Sequence, residues 1–403
     1  MEAYKYFSAS KGKMGILRIL TSIKDAYVIE FGPTCITNYE VCSTMSLTDE
    51  NKSKVDYINI ENSDIVSKRC NKLEQAIIEL DNGKRPKYIF IVESCKSCIM
   101  GEDILNICDN LKERVHSKLL FINASNLNYD YNKAIEIALE LASQEIVKPN
   151  EKNINKYNIM GFSVDKYNYF SDVEELQRIM SELFNKDVNS IFTINSDLEH
   201  IKNAANASLN IVARKEALKA AQYMKEEYGI PYVYKNLYGF KNIIKFVETV
   251  KQIDGYELDE DKYNKEINFV KKHVFEIKRK FYFYEESKDC AVFGDFDTVS
   301  GISDMLKELG FNVDRKEVLY KTNCIDEEML GDNSELDRIN YLNNKELLIL
   351  LGDGPIIETN HNSKVDLQIS NLNSCKVKNY STIPYIGFRG CVYIIDEILK
   401  VKC

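Results

Sequence analysis

The residues of this chain best suited to chemistry are its cysteines. There are 11 in 403 residues, and six of them fall between Cys35 and Cys108. An odd number of cysteines, in a chain whose first residues show no signal-peptide apolar region, argues against a disulfide framework. The thiols are then buried apolar groups, redox groups or metal ligands, and their clustering near the start favours metal ligation there.

Two of these cysteines follow segments that read as buried strands. Cys35 comes after the apolar run 27–31 across a Gly-Pro turn, and Cys95 comes after the apolar run 88–92. A helical segment between the runs predicts parallel strands, whose carboxyl ends bind ligands in α/β proteins. Two thiolates on adjacent strand-end loops suit half of an iron–sulfur site. The alternative, that both are core thiols, stays open.

Other motifs favour specific chemistry less. Cys95 and Cys98 have the CxxC spacing of a redox dithiol or half a zinc site, but the next helix is predicted to begin only near Asp103. No second CxxC or histidine pair completes a zinc site, since the four histidines are isolated. No Walker A, HExxH, GxSxG or GxGxxG motif is present. Any redox reaction must therefore take its driving energy from a partner.

Charge and hydropathy exclude two classes of partner. Lys plus Arg number 53 and Asp plus Glu 62, for a net charge of −9. Without clustered cations, the chain is not expected to bind nucleic acid. Its apolar runs are far shorter than the ~20 residues that cross a bilayer. We expect a cytoplasmic protein that contacts neither nucleic acid nor membrane.

Strand-like and helix-like segments alternate along the chain, and the alternation restarts twice. This pattern predicts an α/β fold of three units in tandem, each a mostly parallel sheet flanked by helices. The predicted boundaries are an N-terminal domain at 1–152, a second at 153–255, a helical bridge at 256–285, and a third at 286–403 whose last helix returns to the core.

Short segments spread along the chain resemble, in order, the motifs of the nitrogenase component 1 superfamily. They are 32–35 (GPTC) for the HGPxGC turn, 64–73 for DIVFGGxxxL, 94–104 for SECPxGLIGDDI, 158–161 for NxxG, 209–212 and 227–232 for LNLV and KYGIPW, and 387–390 for the closing GFxG.

The resemblance implies three Rossmann-like domains, dimers of identical or related subunits, and an iron–sulfur cluster fed by an ATP-dependent iron protein. It implies that Cys35 and Cys95 are cluster ligands. The family's third cysteine lies upstream of the Gly-Pro turn, where this chain has none. Either two subunits supply four thiolates to one shared [4Fe–4S] cluster, or Cys70 or Cys98 replaces the missing ligand.

The resemblance also bears on the substrate. The cysteine and histidine that anchor the metal cofactor of nitrogenase proper are missing after the LNLV segment and before GFxG, so reduction of N2 is not expected. An organic substrate between the domains, as in tetrapyrrole-reducing relatives, would meet Arg214, Lys215 and Arg389 with its carboxylates. Otherwise these three are solvated surface cations. Two further readings stay open: a scaffold for metallocofactor assembly, and a degenerate partner of an active paralogue.

Overall fold

The fold, taken from a computed structural model, is described for residues 12–32, 55–59, 71–93, 103–123, 131–164, 166–194, 196–319, 335–359, 362–370 and 383–401. The strands in this part are β1 (Ala26–Gly32), β2 (Val55–Asn59), β3 (Tyr88–Glu93), β4 (Lys118–Ile122), β5 (Asn153–Phe162), β6 (Asp187–Thr193), β7 (Ala207–Val212), β8 (Tyr232–Tyr234), β9 (Asp289–Gly294), β10 (Asn312–Val318), β11 (Leu347–Gly352) and β12 (Ser363–Gln368).

The helices of the same residues lie between these strands and at the two ends. They are α1 (Gly12–Thr21), α2 (Asn71–Lys84), α3 (Ile104–Leu111), α4 (Tyr131–Glu145), α5 (Tyr169–Phe184), α6 (Leu198–Lys202), α7 (Leu218–Tyr228), α8 (Phe240–Val250), α9 (Glu260–Lys280), α10 (Phe296–Leu309), α11 (Glu335–Asn344), α12 (Gly354–Thr359) and α13 (Gly387–Leu399). None of them, as far as the chain is described, has both the length and the apolarity that a membrane span requires.

The strands build three parallel four-stranded sheets that share one strand order. The orders are β2-β1-β3-β4, β6-β5-β7-β8 and β10-β9-β11-β12. In each sheet the first and third strands of the unit are neighbours, and the chain changes side of the sheet between them. Such a switch point opens a crevice at the carboxyl ends of the two strands. The predicted α/β class, with three similar units, is confirmed.

The units share their apolar cores. One buried cluster contains side chains from the first and second sheets, such as Phe90 and Val212. Another contains side chains from the second and third, such as Ile159 and Val292. Because burial of apolar area is the main stabilising term in folding, the three units stabilise one another.

The last helix packs outside its own sheet. Helix α13 lies against α9, α8 and α5, the latter two of which belong to the second unit. The carboxylate of Asp172 on α5 accepts hydrogen bonds from the backbone N–H groups of Tyr385 (2.7 Å) and Ile386 (3.3 Å). The side chain of Asn168 donates to the carbonyl of Ile383 at 2.7 Å. The chain entering α13 is therefore fixed to the start of α5.

Candidate functional site

The switch point of the first sheet precedes the two cysteines of greatest interest. Strands β1 and β3 pair in parallel, with Phe31 opposite Glu93 near their carboxyl ends. In the sequence, Cys35 comes shortly after Gly32, the last residue of β1, and Cys95 shortly after Glu93. Both cysteines lie outside the described residues, as do Cys70 and Cys98. The strand ends that precede Cys35 and Cys95 in the sequence are direct neighbours.

The cysteines within the described ranges do not suit a metal site. Cys108, Cys290 and Cys391 are all buried. Burial raises the pKa of each thiol, that of Cys108 to about 11, so each stays protonated at neutral pH. Thiolate is the form that binds metals. The described residues also contain no group of three or more His, Cys, Asp or Glu side chains arranged for a metal ion. Ligands for an iron–sulfur cluster would come from the remaining cysteines.

The switch point of the second sheet holds a buried arginine. Arg214 follows β7; its Nε donates to Glu216 Oε2 at 2.9 Å and its Nη1 to Ser163 Oγ at 3.2 Å. Its side chain crosses Gly161, which has φ +101°, and a Cβ there would lie 2.5 Å from Arg214 Cγ. The glycine of the NxxG segment therefore makes room for this arginine.

The three cations predicted to face a substrate have different surroundings. Arg214 is buried beside Glu216. Lys215 is half-buried, with its ammonium 4.2 Å from the centre of the Phe296 ring. The side chain of Arg389 is 58% exposed on the first turn of α13, with Nε 3.8 Å from Glu175 Oε2. Arg389 is the one of the three most open to solvent.

The carboxyl ends of the second and third sheets meet at residues that sequence reasoning did not single out as functional. Asp297 at the start of α10 accepts from the Lys215 backbone N–H (2.9 Å) and from the Tyr234 hydroxyl (2.6 Å). The ammonium of Lys166, which lies just past β5, is buried 4.0 Å from Asp295 Oδ1. The two aspartates could be placed after a predicted strand, but nothing in the sequence marks Lys166.

Comparisons with known proteins agree with this architecture. The family described as nitrogenase component 1 type oxidoreductase matches residues 13–402. A subunit of the light-independent protochlorophyllide reductase of Crocosphaera subtropica is 24% identical over 80% of this chain and 66% of its own length. The corresponding subunit from Chlorokybus atmophyticus is 22% identical over 78% and 64%. The chain therefore spans slightly less than two thirds of the length of these relatives.

Solved structures show the same fold. A chain of nitrogenase Cp1 at pH 6.5 superposes with a TM-score of 0.78 at 14% identity, covering 100% of this chain and 94% of its own. A chain of nitrogenase Cp1 at pH 5 gives 0.71 at 19% identity, over 99% and 90%. The resemblance seen in the short motifs is thus matched by the whole sequence and by the topology, and the chain belongs to the nitrogenase component 1 type oxidoreductases.

Proposed function

We propose that this chain is a cytoplasmic subunit of a nitrogenase-like reductase. It binds an iron–sulfur cluster at a dimer interface, receives electrons from an ATP-dependent iron protein, and reduces a substrate other than N2 between its three units. Cys35 and Cys95 of two identical or related subunits supply four thiolates to one [4Fe–4S] cluster, which supplies the electron transfer. Cys70 or Cys98 is the substitute ligand if the site uses three cysteines per chain.

One observation carries this proposal. Strands β1 and β3 are hydrogen-bonded neighbours over Ala26 to Phe31, and their last residues come shortly before Cys35 and Cys95 in the sequence. Neighbouring strands lie about 4.8 Å apart. The segments that follow β1 and β3 therefore start close together, at the carboxyl end of the same sheet. Each segment could place one thiolate on a shared cluster. The three described cysteines support the same assignment, because they are buried and belong to no metal-ligating group within the described residues, which leaves Cys35 and Cys95 among fewer candidate ligands.

The substrate class is proposed from charge. The relatives compared above are subunits of protochlorophyllide reductases, and an organic substrate with carboxylates would find cations near the ends of β7 and at the start of α13. Arg389 is the most accessible of these cations. Arg214 is paired with Glu216, and the backbone N–H of Lys215 donates to Asp297 of the third unit.

Iron content tests the cluster proposal. After strictly anaerobic purification we expect about two irons and two acid-labile sulfides per chain, since one four-iron cluster is shared by two chains. Cys35→Ala and Cys95→Ala are each expected to lose both, together with the EPR signal of the dithionite-reduced protein. Elemental analysis and EPR measure these outcomes.

Cys108→Ala is the matched control, because Cys108 is a described, buried thiol in α3 that follows Cys95 by 13 residues in the sequence. It is expected to keep its iron at a modest cost in stability. Iron-free wild type, or iron retained by both Cys35→Ala and Cys95→Ala, would overturn the shared four-cysteine site. Iron that exceeds the four-cysteine stoichiometry and is passed on to another protein would favour the assembly scaffold instead.

Arg389→Ala separates a substrate contact from a solvated surface cation. Arg389 is mostly exposed and its ion pair with Glu175 is long, so we expect its loss to change the free energy of unfolding by less than about 1 kcal/mol. If Arg389 meets a substrate carboxylate, KM for that substrate rises at least about tenfold, since a charged hydrogen bond contributes about 1.5–3 kcal/mol. Thermal unfolding and steady-state kinetics with protochlorophyllide as the probe measure the two effects, and unchanged KM rules out the contact with that substrate.

A further inference from the structure

Five charged side chains are buried together where the second and third sheets meet, and we name them the interunit cluster. They are Lys166, Asp172, Arg214, Glu216 and Asp297, each of which acts electrostatically on another member. Glu175, buried on the next turn of α5 from Asp172, is paired with Arg178 at 2.8 Å and is not counted among them. Three are carboxylates and two are cations, so the fully ionised cluster has one negative charge in excess. An uncompensated charge in the protein interior is costly, and a carboxyl group in that position takes up a proton instead.

Two further charges at the rim of the cluster do not change this balance. Asp295 is half-buried 4.0 Å from Lys166, and half-buried Lys215 packs against the ring of Phe296. One is negative and the other positive. Two phenols, of Tyr234 and Tyr238, also face the cluster; both have pKa values raised mainly by burial and so stay neutral.

Two polar atoms inside the cluster lack partners among the described residues. Lys166 Nζ and Asp172 Oδ2 are buried, and neither has a hydrogen-bond partner there. Asp172 Oδ1, in contrast, accepts from the Tyr385 and Ile386 backbone. One oxygen of Asp172 is therefore held by donors and the other is not, which is the arrangement of a carboxyl group that can carry a proton on its second oxygen.

The buried surroundings favour protonation of the carboxyl groups in the cluster. Burial raises the pKa of Asp172 to about 7, and it raises those of Glu216 and Asp297 as well. For Lys166, burial works toward a lower pKa, and the negative charges of Asp295 and Asp297 work toward a higher one. The lysine thus stays charged, and the proton must lie on a carboxyl group.

We propose that the interunit cluster is a proton-binding site that holds one proton on a carboxyl group at neutral pH. Its use rests on the proposed function: a reduction takes up protons together with electrons, and the cluster lies at the carboxyl ends of the strands that would border the substrate. The cluster would then be an internal acid that can supply a proton to the reduction without contact with bulk water.

Infrared difference spectroscopy of the full chain tests this directly. At pH about 7.5 an ordinary Asp or Glu is ionised, so the carbonyl stretch of a protonated carboxyl group reports the stored proton. We expect wild type to show this band, and at least one of Asp172→Asn, Glu216→Gln and Asp297→Asn to lose it. Unfolding wild type is expected to release the stored proton, because the unfolded carboxyl groups have ordinary pKa values. With a pKa of about 7 on Asp172, the amount released at pH about 7.5 is a fraction of one proton per chain and rises as the pH is lowered toward about 6.

Asp353→Asn is the matched control. Asp353 is also buried, caps the first turn of α12 through the Ile356 N–H, and has a pKa raised by burial to about 6, so it is ionised at pH about 7.5. Its replacement should leave the band unchanged. A wild type without the band, or a band that survives in all three cluster variants, overturns the proton site. Because the measurement needs neither iron nor turnover, its failure is distinct from failure of the reductase proposal.

Discussion

Replacing Gly390 by alanine is expected to lower the free energy of unfolding by about 3 kcal/mol or more. Gly390 lies in the first turns of α13, and a Cβ there would collide with the backbone carbonyl group of Tyr385 and lie 2.9 Å from its Cα. That backbone is held in place, because Asp172 accepts hydrogen bonds from the Tyr385 and Ile386 N–H groups. Denaturant unfolding followed by circular dichroism measures the loss.

Gly83→Ala is the control for this substitution. Gly83 is in the last turn of α2, and no described residue has an atom within 4 Å of the Cβ that would be added. Since alanine favours helix over glycine by up to about 1 kcal/mol, Gly83→Ala should leave stability unchanged or raise it. Equal stability of the Gly390→Ala protein and wild type would contradict the close approach of the Tyr385 backbone to Gly390.

Removing the carboxylate of Glu317 is the second substitution with a large expected effect. Glu317 on β10 is fully buried and accepts from Arg315 Nη2 at 2.8 Å and Arg338 Nε at 2.7 Å. Glu317→Ala leaves two mostly buried guanidinium groups without this carboxylate. Breaking a buried ion pair from one side costs about 3–5 kcal/mol; we expect about 3 kcal/mol, because both arginines keep some exposure to water.

Asp337→Ala is the matched comparison, because Asp337 pairs with the same Arg315 (2.7 Å) but its side chain is 47% exposed. Exposed pairs contribute about 0–1 kcal/mol, so this variant should unfold near wild type. Chemical denaturation of both proteins decides the matter. Similar losses in the two variants would show that burial of Glu317 does not set the strength of this network.

The central strands could be predicted from the sequence because both of their faces are covered. The apolar run 88–92 predicts a strand, and β3 occupies Tyr88–Glu93 with almost every residue buried. The run 346–351 likewise corresponds to β11, which is buried throughout. A strand inside a parallel sheet needs no alternation of polar residues, so a short apolar run is a sufficient signal.

Helix ends were harder to predict, because distant residues decide them. Asp81, Asn82 and Gly83 predict the end of a helix, yet α2 continues to Lys84. The carboxylate of Asp81 accepts from the backbone N–H groups of His116 and Ser117 at 3.0 and 2.9 Å, which makes it a buried anchor. Helix α8 has no counterpart among the predicted elements, whereas the charged stretch 257–280 is confirmed as helical in α9.

Candidate site residues could be predicted from the sequence only where they directly follow a predicted strand. Cys35 and Cys95 follow predicted strands, so their importance could be inferred from order alone. Lys166 could not be identified in that way, because its role depends on Asp295, which comes from another sheet. A lone lysine in a polar segment has no periodicity or spacing that distinguishes it from a solvated one.

The packing of α13 on the second unit has a consequence for synthesis on the ribosome. The second unit is translated well before α13, yet its helices α5 and α8 need that last helix to cover their apolar surface. Domains of most multidomain chains fold one after another as they emerge. Here the second unit keeps part of its apolar surface uncovered until α13 has been synthesised and has left the exit tunnel, and holding chaperones could bind that surface during the interval.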